Sequence, residues 1–446
     1  MKFRVSAALA GSTAVLAMLG ATAPARAEEA LPSQAEMWRI IQQQQAEIRQ
    51  LKGQAARPAP AAVPAAPAPA VAREPLADAA KIDALERRVA AAEGKIEATG
   101  AALDEASNGG DGWWQRTSLG GYGELHFNGG NTDMIDAHRF VLAVGHRFND
   151  WLKLQTEVEL EHSIAGEGEP GEIELEQAYI EADLTKRFGF AFGDSDRHSA
   201  VAGQFLLPIG LLNQTHEPTN FFGVERNTVE NRIIPTTWWE AGAGLTGQLA
   251  EGLAYDLAYH SGLSVATEGS NAFSIRSGRQ KVGEAPAKEG AVTSRLRWNG
   301  LPGVELGVSA QYQSDITQGG PSKVDATLVA AHADILKDGF GLRALYARWD
   351  LGGSAPALVG RDEQQGWYVE PSYRFDTRAG GIGFFARYEM ADTEAGDDTD
   401  SETTTTTAGT SYWPHPDVVL KADYQWVDAP TGNGDDRVNL DVGFQF

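Results

Sequence analysis

Charged side chains recur at alternate positions of many extended segments of this chain. Successive side chains of a β-strand point to opposite faces, so these charges share one face of each segment. The bases that we assign to this inward, lumen-facing side are Arg139, Lys153, Arg295, Arg297, Arg374, Arg387 and Lys421. Acids such as Glu157, Glu305 and Asp441 share the same side. Bases and acids on opposite walls of a water-filled space would favour small polar or charged solutes, whereas cross-strand pairing would keep the field local.

Sequence motifs for catalysis or metal binding are lacking. The chain has 9 histidines, among them His126, His138, His146 and His162, but no H-E-x-x-H arrangement. We therefore expect these histidines to line the lumen or an interface, and we predict no metal site and no cofactor. A G-x-S-x-G nucleophile elbow is also missing. We predict no catalytic residues, which disfavours a barrel enzyme such as a lipase.

The C-terminal segment 437–446 alternates strictly between apolar and polar residues. One face carries Val438, Leu440, Val442, Phe444 and Phe446, and the other carries Arg437, Asn439, Asp441, Gly443 and Gln445. An apolar outward face that ends on Phe446 is typical of the last strand of an outer-membrane β-barrel.

About sixteen such strands can be marked after residue 117. They are approximately 118–127, 136–148, 151–163, 173–184, 188–206, 237–248, 252–261, 291–299, 303–313, 323–335, 339–350, 366–375, 381–391, 403–412, 418–428 and 437–446. The connections between them alternate between short and long, as periplasmic turns and extracellular loops do. The sequence predicts an all-β fold, a transmembrane antiparallel β-barrel. Counts of 14 or 18 strands stay open, because 403–412 is mostly Thr and 188–206 contains a turn signal at 193–196.

The charge and composition agree with an exported barrel. The net charge is −24, and all of it lies after residue 110 because the first 110 residues hold as many bases as acids. This acidity argues against nucleic acid as a partner. The chain contains no cysteine, and after residue 27 no apolar run approaches the length of a transmembrane helix. Acidic loop clusters could hold divalent cations that bridge lipopolysaccharide, or they could simply be solvated.

The N-terminal part has a different organisation. Residues 1–27 read as a signal peptide, with a short membrane anchor as the alternative. Residues 28–56 and 77–105 show short heptad seams that predict helical, coiled-coil segments, with a surface helix or disorder as the alternative. Between them, 57–76 is an Ala/Pro-rich linker, and 106–116 is a flexible joint before the barrel at 117–446. We expect the N-terminal segment in the periplasm, with the chain as a homotrimer and the helices able to contact the cell wall.

The long segment from Pro208 to Pro235 contains more apolar residues than a solvated loop needs. We expect it to fold into the barrel and narrow the pore; the alternative is an ordered surface loop that packs on a neighbouring subunit. Its charged residues, which we select as candidate constriction residues, are Glu217, Glu225, Arg226, Glu230 and Arg232. We choose Arg226 and Arg232 as the residues that contact anions.

A known family carries a similar pattern. The segment Gly203-Gln-Phe-Leu-Leu-Pro-Ile-Gly210, followed by Glu217 and Phe221-Phe222, resembles the phosphate-selective porin O and P family over roughly 117–446. The resemblance implies a 16-stranded, trimeric outer-membrane channel whose inward loop forms the constriction. The helical N-terminus is similar to that of related porins with a periplasmic coiled coil. Phosphate-specific members line the pore with many bases, whereas the inward residues here are of mixed sign.

These observations predict a porin for passive diffusion of small hydrophilic solutes, including anions such as phosphate. The alternative is a structural tether, in which the N-terminal coiled coil connects the outer membrane to the cell wall and the barrel acts only as an anchor in outer-membrane lipid.

Overall fold

The described part of the chain is built almost entirely of β-strands. The structure, a computed structural model, describes residues 112–193, 195, 197–430 and 434–446. Its strands are β1 Thr117–Gly129, β2 Met134–Arg147, β3 Leu152–Glu161, β4 Ile173–Asp183, β5 His198–Leu206, β6 Trp239–Ala250, β7 Leu253–His260, β8 Ala291–Leu301, β9 Val304–Gln313, β10 Ala326–Lys337, β11 Phe340–Leu351, β12 Glu363–Thr377, β13 Gly380–Asp392, β14 Thr403–His415, β15 Val418–Asp428 and β16 Arg437–Gln445. Two short helices, α1 Leu184–Phe188 and α2 Ser354–Ala357, lie in connections.

Pairing of the first and last strands closes the sheet. Each strand pairs antiparallel with its neighbours in the chain, and β1 pairs with β16. Beyond the end of β16, the N–H of Phe446 donates to the carbonyl of Gly121 (2.9 Å), and the N–H of Gly121 donates to the carbonyl of Phe446 (3.0 Å). The predicted sixteen-stranded antiparallel barrel is confirmed.

The burial pattern along the strands is the reverse of that of a soluble protein. In β8, Arg295 is only 5% exposed, whereas its neighbour Leu296 is 45% exposed. In β13, Glu389 is 1% exposed and Tyr388 is 46% exposed. Polar side chains therefore face the interior and apolar ones form the outer surface, as the alternation in the sequence predicts.

The strand predicted over 188–206 is shorter in the structure, because β5 begins at His198. Helix α1 ends at Phe188, the first residue of that range. Its first turn is capped by the carboxylate of Asp183, which accepts from the N–H of Lys186 (2.8 Å), and it ends at Gly189 in the left-handed conformation (φ +67°). An Asp N-cap and a Gly C′ residue are standard helix boundaries. The Thr-rich β14 is, in contrast, fully formed and longer than predicted.

The connections follow two lengths at the two rims of the barrel. Two-residue turns join β6 to β7, β8 to β9, β10 to β11, β12 to β13 and β14 to β15. The opposite rim carries long connections, of which 207–238 and 261–290 are the longest among the described residues. The short-turn rim and the long-loop rim are named accordingly below.

The N-terminal predictions cannot be compared with these strands. The signal peptide, both coiled-coil segments, the Ala/Pro-rich linker and most of the joint lie outside the described residues. The first described element is a 3₁₀ turn at Trp113–Arg116, which leads directly into β1. No helix within the described residues is both long enough and apolar enough to cross a membrane.

The outer apolar face yields a prediction that separates lipid contact from solvent contact. We expect Leu296→Arg, in the middle of β8, to destabilise folding into lipid vesicles by about 2–4 kcal/mol, because it places a charge at the bilayer midplane. Val292→Arg, on the same face near the long-loop rim, should cost only about 0–1 kcal/mol. Urea-dependent folding equilibria measure both values, and equal costs for the two variants would contradict a lipid-facing band.

Candidate functional site

The connection 207–238, here called loop A, fills part of the barrel interior. Its buried apolar side chains are Leu207, Ile209, Leu212, Phe221, Val224, Val229, Ile233, Ile234 and Trp238. They pack against wall residues that include Leu328, Leu345, Trp349 and Tyr368. The main hydrophobic cluster therefore lies inside the barrel, between a loop and the wall. Burial of this apolar surface provides the driving force for the inward course of loop A.

A buried carboxylate fixes the start of loop A. Gly210 has a positive φ (+68°), which favours glycine, and a side chain there would collide with the carboxylate of Glu230. One oxygen of Glu230 accepts from the N–H groups of Leu211 (2.6 Å) and Leu212 (2.7 Å). The other accepts from Asn227 (2.9 Å) and from the hydroxyl of Tyr368 (3.2 Å). Glu230, selected from the sequence as a constriction residue, is thus buried and holds the loop.

Polar wall residues attach loop A along its length. The carboxylate of Glu389 accepts from the N–H of Thr228 (2.7 Å), and the indole N–H of Trp349 donates to the carbonyl of Ile233 (3.0 Å). Across the barrel, the phenol of Tyr122 bonds the imidazole of His216 (2.6 Å). Because β1, β11 and β13 all hold it, loop A crosses the lumen.

The bases on the barrel wall are mostly paired with carboxylates of nearby strand positions. The pairs, with their shortest contacts, are Arg139 with Glu124 (2.5 Å), Lys153 with Glu181 (2.9 Å), Arg295 with Asp256 (2.8 Å), Arg297 with Glu305 (3.7 Å), Arg387 with Glu370 (3.1 Å) and Lys421 with Asp441 (3.3 Å). The exception among the seven bases chosen from the sequence is Arg374, which stacks over the ring of Trp413 (4.2 Å). Wall charges therefore neutralise one another locally, and they do not separate into a basic and an acidic wall.

The remaining charged residues of loop A differ in their surroundings. Glu225 accepts from Asn128 (2.9 Å) and lies 3.4 Å from the ring of His126. Burial alone would raise the pKa of Glu225, but its contacts with His126 and Asn128 lower it to about 2. Glu217 accepts only from the nearby Asn220 among the described residues. Arg226 donates to the hydroxyl of Thr237 (2.8 Å), and Arg232 is exposed.

A second loop contributes bases that the sequence analysis did not select. The connection 261–290, here called loop B, buries Leu263, Val265, Phe273 and Ile275, so it also enters the barrel. Its Arg276 donates to the carbonyl of Asn231, and its Arg279 donates to the carbonyls of Thr236 and Thr237. The apolar residues of loop B are the same kind of signal that identified loop A, and they could have marked loop B from the sequence.

Arg226, Arg232, Arg276 and Arg279, here called the loop arginines, share one unusual property. Within the described part of the chain, none of the four forms an ion pair with a carboxylate. Loss of hydration and the charges of Arg279, Arg232 and Arg226 lower the pKa of Arg276. Loss of hydration and the charge of Arg139 lower the pKa of Arg226. Loss of hydration is the larger cause of both shifts, and the neighbouring positive charges add to it, so a bound anion would stabilise the cluster.

Three of the cavities that border the two loops are lined by several bases. The first, of about 150 Å³, is lined by bases and acids in equal number: Arg139, Arg226, Arg276, Arg279 and Lys281, with Glu124, Glu159, Glu161, Glu174 and Glu225. A cavity of about 380 Å³ at the long-loop rim is lined by Arg232, Arg276 and Arg361. The largest, of about 640 Å³, opens towards the short-turn rim and is lined by Arg295, Arg297, Arg343 and Arg374 with Glu305 and Asp334. Bases therefore line the interior on both sides of loop A.

Comparison with known proteins identifies a related sequence and solved structures with the same fold. A protein of Aquifex aeolicus (strain VF5), described as an uncharacterized protein, is 31% identical over 347 residues, which cover 69% of this chain and 74% of the relative. The chain belongs to the family of this protein. No protein-family model matches the chain.

Solved outer-membrane proteins share the architecture. The structure of Salmonella typhi OmpF in complex with daunomycin is similar with a TM-score of 0.50 and 13% identity, covering 74% of this chain and 97% of OmpF. The outer-membrane channel DcaP of Acinetobacter baumannii gives a TM-score of 0.49 at 13% identity, with 74% and 97% coverage. At such identity the likeness to OmpF shows the porin fold and no more.

The hydrogen bonds of Glu230 predict how firmly loop A is held. We expect Glu230→Ala to leave the amides of Leu211 and Leu212 without an acceptor, at a cost of about 1–3 kcal/mol for each buried group. Loop A should then open locally while the barrel stays closed. Faster hydrogen exchange at these two amides, together with new proteolytic cleavage inside 207–238, would show this. The matched control is Glu217→Ala, which removes one exposed contact and should change neither readout.

Proposed function

We propose that the chain is an outer-membrane channel for passive diffusion of small hydrophilic solutes, with a preference for anions. A closed barrel of sixteen strands is too wide for its wall side chains to fill the lumen, so loops decide what passes. Loops A and B enter the barrel and leave cavities on both sides. The single observation that carries the preference for anions is the crowding of the loop arginines without carboxylate partners.

The paired wall charges contribute little to the preference for anions, because each base lies next to an acid. A carboxylate held 2.8 Å from Arg295 cancels most of its field at the distance of a passing solute. The loop arginines form no ion pair among the described residues: Arg226, Arg276 and Arg279 donate to carbonyl and hydroxyl oxygens, and Arg232 is exposed. Their charge is therefore less cancelled than that of Arg295. They should therefore dominate the electrostatic potential in the part of the lumen beside loops A and B, here called the narrow region.

The proposed solute class is small anions, including phosphate and dicarboxylates, without restriction to phosphate. Glu161 and Glu174 line the same cavity as Arg226 and Arg279. Acids among the bases weaken the local positive potential, so this cavity opposes entry of multiply charged anions more than an all-basic lining would. This difference from a purely basic pore is the reason for proposing a broad anion preference.

Neutralising the loop arginines tests the preference directly. We expect Arg226→Gln with Arg232→Gln to shift the reversal potential under a chloride gradient in planar bilayers towards cation preference. A unit charge at roughly 6 Å in water contributes about 0.7 kcal/mol, so each substitution should lower the anion-to-cation permeability ratio about threefold. Repeating the measurement with phosphate and dicarboxylate salts defines the solute class.

A charge-neutral control separates this effect from a change of shape. Asp256→Asn combined with Arg295→Gln removes one paired base and its acid, so the net charge of the lumen is unchanged. The reversal potential should stay within error of the unmodified channel. An unchanged value for the loop variant, or an equal shift for the control, would refute the role of the loop arginines. If the purified barrel carries no ohmic current at all, diffusion is not its function.

A further inference from the structure

Two histidines and an aspartate meet at the long-loop rim, next to the narrow region. His162 Nδ1 lies 2.9 and 2.8 Å from the two carboxylate oxygens of Asp136, and His138 Nδ1 lies 3.5 Å from the nearer one. One ligand atom from each of the three residues lies within 4.8 Å of the others. We propose that Asp136, His138 and His162 bind a transition-metal dication of the Zn²⁺ class. They are called the rim triad below.

The backbone holds the three side chains together. A β-bulge in the pairing of β1 with β2, between Glu124 and His126, lets His138 and the adjacent Arg139 both line the same interior cavity. The N–H of His162 donates to the carbonyl of His138 (3.3 Å), and His162 has a positive φ (+54°), which is uncommon for a residue other than glycine. His138 is therefore placed by β2 and its bulge, and His162, which follows the end of β3, is held next to it by their backbone hydrogen bond.

The chemistry of the three donors selects the metal. Imidazole nitrogen suits Zn²⁺, Cu²⁺ and Ni²⁺, whereas Mg²⁺ and Ca²⁺ prefer oxygen ligands alone. Ligands around a tetrahedral Zn²⁺ ion are roughly 3.3 Å apart, because Zn–N and Zn–O distances are about 2.0–2.2 Å. The distances from Asp136 to His162 and His138, 2.8 and 3.5 Å, lie on either side of that spacing. Three protein ligands leave one coordination position for water.

Other groups of acids and histidines in the barrel are less suited. Glu124 and Asp441, which flank His126, already pair with Arg139 and Lys421. The group of Glu157, Glu176 and His216 is buried, and His216 bonds Tyr122. Within the described residues, Asp136 forms ion pairs only with His138 and His162, so no Lys or Arg competes with a metal ion. The side chains of His138 and His162 are also 37% and 36% exposed, which gives an ion access.

A metal ion at the rim triad would act on the pore. The ring of His138 stacks on His126 (4.5 Å between centroids), and His126 lies 3.4 Å from Glu225 of loop A. The two positive charges of a bound ion, this close to loop A, would strengthen the preference of the pore for anions. This consequence rests on the proposed function, whereas binding of the metal does not.

Titration of the detergent-purified full chain with ZnCl₂ and MgCl₂ tests binding independently of transport. We expect one Zn²⁺ per chain, no comparable binding of Mg²⁺, and a loss of Zn²⁺ affinity of at least about tenfold in His162→Ala and in His138→Asn. The matched control is His332→Asn, which removes an interior histidine with a single carboxylate neighbour, Glu305 at 3.3 Å. It should bind Zn²⁺ like the unmodified chain. Heat-dependent gel mobility checks that each variant is a folded barrel.

The outcomes separate the two proposals. Equal affinity for Zn²⁺ and Mg²⁺, or unchanged Zn²⁺ affinity in folded His162→Ala, would overturn the rim triad as a metal site. Equal loss in His332→Asn would also overturn it, because binding would then not depend on this cluster. Zn²⁺ binding that needs the rim triad, in a protein without ohmic current, would support the metal site and reject the channel. In a conducting channel, Zn²⁺ should shift the reversal potential towards anions, and His162→Ala should abolish that shift.

Discussion

Every backbone amide in a strand that crosses hydrocarbon must find a partner within the protein, because no water is present to replace it. Sixteen antiparallel strands meet this requirement only if the first and last also pair. The reciprocal bonds between Gly121 and Phe446, next to the β1–β16 ladder, complete that closure. Closure fixes which side chains face inward, so the wall pairs, the inward loops and the cavities all depend on it.

A closed barrel in a membrane also reverses the usual distribution of apolar and polar side chains between interior and surface. Its outer surface can be apolar, whereas its interior must hold charges and remain open. The wall solves this by pairing, as in Lys421 with Asp441, both buried at the level of loop A. Loop A solves it differently, by burying an apolar face against Trp349 and Tyr368 while its other face carries charge. The loop can therefore be rigid without making the whole interior apolar.

The strands could be predicted from the sequence because lipid and lumen impose opposite requirements on alternate residues. Leu296 beside Arg295 is such a case, and it needs no tertiary information. The start of β5 was wrong because the apolar run from residue 188 was read as a strand through Gly189, the residue that ends α1. Loop A was found from its excess of apolar residues, and loop B could have been found in the same way.

The candidate site was less predictable, since it depends on contacts distant in sequence. Nothing near Glu230 in the sequence indicates that its carboxylate bonds Leu211 and Tyr368. The alternation rule likewise gives His138 and Arg139 opposite faces, and only the bulge against β1 brings both inward. Pairing decides which bases are neutralised, and pairing is a property of register across strands, which the sequence of one strand does not contain.

The way in which the loop arginines are held explains why their charge persists. A guanidinium that loses part of its hydration needs acceptors for its N–H groups, and a carboxylate would satisfy that need but cancel the charge. For Arg226, Arg276 and Arg279 the acceptors are neutral: the carbonyls of Asn231, Thr236 and Thr237 and the hydroxyl of Thr237. Arg232 is exposed to solvent. Neutral acceptors offset part of the desolvation cost and leave the positive field intact. The mutual repulsion that remains is greatest when the narrow region is empty of anions, so an entering anion lowers the free energy of the cluster without needing a tightly fitted site.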